Sequence, residues 1–244
     1  MCLVAVVAMS AVVAASASAA APEYLICGKA AKVENKYTGT YSDKTCSTKV
    51  VSGGEYELES YTHAKSLKFK ATSGPSALYV YIPGTGKAGE TTCAKSKTAG
   101  EVTGAKTETS VVTFEKCTSE GKTCTGVQAG TKKGDIVTYT LDFTLFATGS
   151  SKTGVANEAK APIDAQFECE GLKVKTTGAV SGEVTGDVGV ASKTSSLVDA
   201  VTKEGAPDIA SSEPLLTEIT GVGTLPSGEE ITANIKGEAF YVSV

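Results

Sequence analysis

From about residue 22 onward, apolar side chains recur at every second position, the period of a strand with one buried face. Leu67, Phe69 and Ala71 alternate with Lys68 and Lys70, and Tyr56 and Leu58 alternate with Glu55, Glu57 and Glu59. The longest run, Asp135 to Phe146, sets Val137, Tyr139, Leu141, Phe143 and Leu145 on one face and Thr138, Thr140, Asp142 and Thr144 on the other, as a central strand would. Further strands are expected at Ala77 to Ile82, Val111 to Lys116, Ile163 to Glu170, Leu172 to Thr177 and Ile231 to Val242, with Gly, Pro or Asn between them. This spacing predicts an all-β protein, an antiparallel β-sandwich or barrel with little helix. Only Ser196 to Glu204 has helical spacing, through Leu197, Val198 and Val201 with Gly205 behind them, and a strand reading stands beside it.

The first twenty-one residues break the alternation, being nearly all Ala, Val, Leu, Met and Ser. Ala17-Ser18-Ala19 offers the small residues that a signal peptidase accepts, so residues 1–19 are expected to be a signal peptide, although no Lys or Arg precedes Lys29. Ser10, Ser16 and Ser18 interrupt the apolar stretch, which argues against a bilayer anchor and predicts no stable membrane span after cleavage. The mature chain is then secreted, extracellular or at the cell surface. It divides into a small disulfide-closed N-terminal module at 20–60 and a main β domain at 61–244.

Removing Cys2 with the signal leaves Cys27, Cys46, Cys93, Cys117, Cys124 and Cys169, an even set suited to disulfides. Six cysteines allow fifteen connectivities. The polar, Gly-containing turn between Cys117 and Cys124 suggests a local bridge there, Cys27 and Cys46 bracket a second polar segment, and Cys93 to Cys169 is left as the long bridge. None has the close pairing of a zinc site.

A formal net charge of -4 gives no basic surplus for phosphates, which argues against nucleic acid as a partner. His63 is the one histidine and lies in a polar stretch, with no Gly-x-Ser-x-Gly elbow to supply a nucleophile, so no catalytic residue, metal ligand or cofactor site is expected. Gly84 to Gly89 fits G-x-G-x-x-G as a string, but Pro83 precedes it and a strand-like segment follows, which reads as a hairpin. Glu55, Glu57 and Glu59 form a solvated stripe or a guard against edge pairing, not a hydrolase pair. Tyr79 and Tyr81 are the candidate ligand platform, with burial under a neighbouring sheet as the alternative. The pentapeptide Gly-Glu-Val-Thr-Gly occurs at 100–104 and again at 182–186, which hints at related sheet edges.

Cys27 to Cys46 with Lys36-Tyr37 and Tyr41-Ser42-Asp43 between them, Gly53-Gly54-Glu55-Tyr56-Glu57, Gly100 to Thr107, Val111 to Phe114 before Cys117, Gly134 to Val137, and Phe167-Glu168-Cys169-Glu170-Gly171-Leu172 together form a recognisable series. In these the chain resembles a family of uncharacterised secreted β proteins from soil actinobacteria. The resemblance implies export, the cysteine framework and strand rather than helix at Ser196, and it transfers no functional residue; Leu58 stands where that family carries a Trp. The leading expectation is a non-enzymatic structural or adhesion-type protein meeting cell-surface or extracellular matrix components. A small-ligand or glycan-binding domain is the alternative, and a carboxylate-based hydrolase the third.

Overall fold

The computed structural model describes residues 21–62, 67–148, 155–185, 196–199, 213–237 and 241–242, and among these there is no helix. The expected signal peptide, His63 and residues 200–204 lie outside the described residues. The N-terminal part holds β1 (Tyr24–Lys29), β2 (Lys32–Val33), β3 (Lys36–Tyr37), β4 (Gly39–Tyr41), β5 (Lys49–Gly54) and β6 (Tyr56–Ser60). Next come β7 (Leu67–Ser73), β8 (Ser76–Ile82), β9 (Gly86–Cys93), β10 (Lys95–Val102), β11 (Thr107–Glu115), β12 (Thr118–Ser119) and β13 (Lys122–Gly126). The chain continues through β14 (Ile136–Val137), β15 (Leu141–Ala147), β16 (Val155–Cys169), β17 (Leu172–Thr185), β18 (Ser196–Asp199), β19 (Leu216–Ile219), β20 (Gly223–Gly237) and β21 (Tyr241–Val242).

Of the two architectures expected, the barrel is the one formed. Eight long antiparallel staves follow in chain order: β7 with β8, β9 with β10, β11 with β12, β13 with β14 and β15, then β16, β17, β18 with β19, and β20. Each pairs with the next, and β20 returns to pair with both β7 and β8, closing the ring. Closure leaves the ring without free edges. Tight turns at Glu120-Gly121 and Glu170-Gly171, all four residues at positive φ, link adjacent staves and fix their register. Gly84 and Gly86 likewise turn the β8–β9 hairpin at the G-x-G-x-x-G string.

β7 follows the expected alternation in full, with Leu67, Phe69 and Ala71 buried and Lys68 and Lys70 exposed. The Asp135 to Phe146 run does not. Leu141, Phe143 and Leu145 face inward as expected, but upstream the buried residues are Ile136 and Thr138, while Tyr139 is exposed. Inward positions 138 and 141 are three apart, because the stave is interrupted between β14 and β15, and one extra residue reverses every side chain beyond it.

Three disulfides form, two of them not as expected. Cys27–Cys46 is the local bridge, but the others are Cys93–Cys117 and Cys124–Cys169, replacing Cys117–Cys124 and Cys93–Cys169. The register sets Cys93, Cys117, Cys124 and Cys169 side by side on adjacent staves. Bonding the inner pair would strand the outer two about 14 Å apart, three strand spacings, well beyond the roughly 7 Å that a disulfide spans. Pairing outward satisfies all four.

At the opposite end, a five-stranded sheet in the order β21-β1-β6-β4-β5 closes the barrel. Tyr24 and Tyr61 reach from it onto Leu67, Phe69, Val102, Leu145 and Val184. The two Gly-Glu-Val-Thr-Gly copies contribute Val102 and Val184 to this same cluster. Outward positions of the barrel carry charge, with Lys97 and Lys95 bridging to Glu115, Lys160 to Glu213 and Lys175 to Glu218. Among the described residues no helix is long and apolar enough to cross a membrane.

Candidate functional site

An eight-stranded barrel has an interior just wide enough to be filled by side chains or to hold one small ligand. Here the inward side chains are large at both ends and small in the middle. Leu67, Val102, Leu145 and Val184 fill the end under the N-terminal sheet, and Ile136, Phe167, Val174 and the four cysteines fill the other. Between them lie Ala71, Thr98, Ser110, Ala159, Ala165 and Thr176, which leave a cavity of about 110 Å³ walled by Phe69, Phe143, Val112 and Leu141. Gly100 belongs to the same design, since Phe69 occupies the space a side chain there would need: its ring would sit 2.4 Å from an added Cβ. Half-buried Leu78, Thr91 and Glu229, neighbours across β8, β9 and β20, mark where the cavity meets the surface.

Two carboxyl groups face into this apolar space. Glu108, 4% exposed, is inward because β11 alternates Glu108, Ser110 and Val112 on its buried face. Its Oε2 accepts the Tyr24 hydroxyl at 2.8 Å, and Asn157 Nδ2 donates to Oε1 at 3.4 Å. Burial pushes the carboxyl up to about 7 against the lowering effect of both donors. The Tyr24 phenol is itself held well above its ordinary value, by burial first and by Glu108 second, so it stays protonated and donates.

Asp164 reaches the cavity differently. In β16 the pairing register shifts between Ala161 and Ala165, and Asp164 and Ala165 are buried in succession where a regular strand would turn one outward. The Ala161 N–H donates to Asp164 Oδ1 at 3.1 Å. Oδ2 is buried without a partner, and so is the Ser110 hydroxyl on the same wall. Burial, and less strongly the nearby Glu213, raises the Asp164 carboxyl to about 7. Buried polar atoms in folded proteins nearly always bond to something, so both groups await water or a ligand.

The residues singled out from sequence sit elsewhere. Tyr81 is buried and Tyr79 half-buried; their rings stand 6.4 Å apart and tilted by 55°, with Lys87 Nζ over Tyr79 at 4.4 Å, and neither lines the cavity. Of the Glu stripe, Glu55 bridges to Lys29, and Glu57 accepts hydrogen bonds from the backbone and hydroxyl of Thr40. The six paired cysteines act as staples, four of them forming the floor of the barrel. No group of three metal-ligating side chains occurs among the described residues. Glu108, Ser110 and Asp164 were missed by sequence reading: extending the Val112 and Phe114 phase back through β11 would have placed Glu108 and Ser110 inside, whereas the bulge that turns Asp164 leaves no periodic signal. In comparison with known proteins, the chain matches no family model, no curated protein and no solved structure.

Proposed function

We propose that the protein is an exported binding protein whose barrel lumen takes in one small, largely apolar molecule. The observation that carries this reading is the cavity itself: about 110 Å³ of apolar space inside a closed, disulfide-stapled ring, with buried oxygens left to orient a polar group. A dry apolar cavity of roughly 150 Å³ binds benzene, so about 110 Å³ takes a body no larger than one ring or a short chain, with any further atoms reaching towards the surface. Paired cysteines favour an oxidising compartment, in keeping with the signal peptide expected from the sequence. Binding is favoured over turnover because both oxygens of Glu108 are already engaged, by Tyr24 and Asn157, so it does not stand beside Asp164 as a second free carboxyl within the lumen.

Calorimetric titration with 2-phenylethanol tests the reading. Saturable one-to-one binding is expected for the wild type and none for Ala159→Leu, which fills the lumen and keeps or raises the melting temperature. Binding that survives this substitution, or no binding by the wild type of either 2-phenylethanol or its amine counterpart, overturns it.

A second reading, the structural or adhesion role towards surface or matrix components, is favoured by β5, an edge strand that carries a fully exposed Val51 and is open to strand addition. Val51→Lys would then abolish adhesion and spare lumen binding.

A further inference from the structure

We infer that the lumen selects a small hydrophobic amine, an apolar or aromatic body bearing one protonated nitrogen. This rests on the lumen-binding reading above and names the ligand class for it. The described side chains around the cavity include three carboxyl groups, Glu108 and Asp164 within and Glu229 at the rim, and no lysine, arginine or histidine. A fatty acid or any other anion would bring like charge into an apolar space where no described side chain offers a cation to meet it.

Asp164 is placed to be the anchor. Glu108 already accepts hydrogen bonds on both oxygens, from Tyr24 and Asn157, whereas Asp164 has one oxygen held by the Ala161 amide and the other buried and unpartnered. The bulge in β16 turns Asp164 inward, where Oδ1 accepts the Ala161 N–H at the register shift and only Oδ2 is left to meet a ligand. The Ser110 hydroxyl, also unpartnered, offers a second acceptor for an ammonium group. Phe69, Phe143 and Phe167 supply faces for an aromatic body or for the cation itself. A neutral alcohol would satisfy the hydrogen bond but leave an ionised carboxylate buried without countercharge. An ammonium group supplies both. Burial has moved both acids into the neutral range, so a cation arriving there meets groups that ionise in response to it.

Three probes on one skeleton separate the outcomes: 2-phenylethylamine, 2-phenylethanol and phenylacetate, each titrated calorimetrically at about pH 8 against the full mature chain and against Asp164→Asn. The amine is expected to bind about tenfold or more tighter than the alcohol, with phenylacetate weakest. Asp164→Asn, whose fold is checked by its melting curve, is expected to collapse the amine-to-alcohol ratio towards one. Equal affinity for amine and alcohol, or tightest binding of phenylacetate, overturns the amine class and leaves lumen binding standing. An unchanged ratio in Asp164→Asn overturns the anchor and with it the inference. Failure of all three probes overturns lumen binding as well.

Discussion

Glu108 occupies a position where the alternation of β11 calls for an apolar side chain, and its burial has a consequence for stability. Its folded-state value, about 7, lies above the ordinary 4.5, so the folded protein holds the proton more tightly than the unfolded chain does. The stability this proton confers is fully present below about 4.5 and is lost as pH rises through about 7; Asp164 adds a loss in the same direction, from 3.8 to about 7. Glu108→Gln keeps an acceptor for Tyr24 and has no charge to bury. Denaturant unfolding of wild type and variant at about pH 4 and about pH 8 is expected to show the balance moving in the variant's favour by on the order of 3 kcal/mol. A pH-independent difference would mean Glu108 is not buried as a carboxyl. At this scale the sequence was legible where side chains obey the strand period, as for Leu67, Phe69 and Ala71. It was opaque where a polar residue sits in an apolar phase, because a Glu flanked by Thr107 and Thr109 reads as solvated until the strand's full extent is known.

At the scale of elements, the eight staves owe their register to turns and their irregularities to single inserted residues. Alternation alone located parts of β6, β7, β8, β11, β16 and β17, yet it missed the reversal between Thr138 and Leu141 and the doubling at Asp164 and Ala165. Period-two reasoning assumes an unbroken strand, and one extra residue defeats it. The disulfides show the same dependence on register: loop length favoured Cys117 with Cys124, but four cysteines abreast on adjacent staves can all be satisfied only by pairing outward. Peptide mapping without reduction is expected to recover Cys93–Cys117 and Cys124–Cys169; a Cys117–Cys124 peptide would show that the register is wrong. Gly178 marks another constraint, since it adopts a φ of 117° and the Pro214 carbonyl oxygen lies 2.1 Å from where a Cβ would be. Gly178→Ala should therefore destabilise by about 2 kcal/mol or more, read from the denaturant midpoint, and a neutral effect would contradict this approach of the 214–215 segment to β17.

For the whole molecule, what matters is closure. That the protein is all-β follows from patterning, but a sandwich and a barrel share the same alternation. What distinguishes them is the return of β20 to β7 and β8, a contact between segments far apart in sequence that no local signal announces. Closure turns the inward residues of eight staves into one space, and small side chains at mid-height keep that space unfilled. The N-terminal sheet then covers one end through Tyr24 and Tyr61, while half-buried Leu78, Thr91 and Glu229 line the cavity where β8, β9 and β20 meet. The central claim is that this space receives a ligand. Its most direct test is nuclear Overhauser contacts between bound 2-phenylethanol and methyl-labelled protein. Contacts to the methyl groups of Val112, Leu141 and Ala159 are predicted, and contacts confined to outward-facing methyls, such as those of Val51 or Val222, would contradict the account.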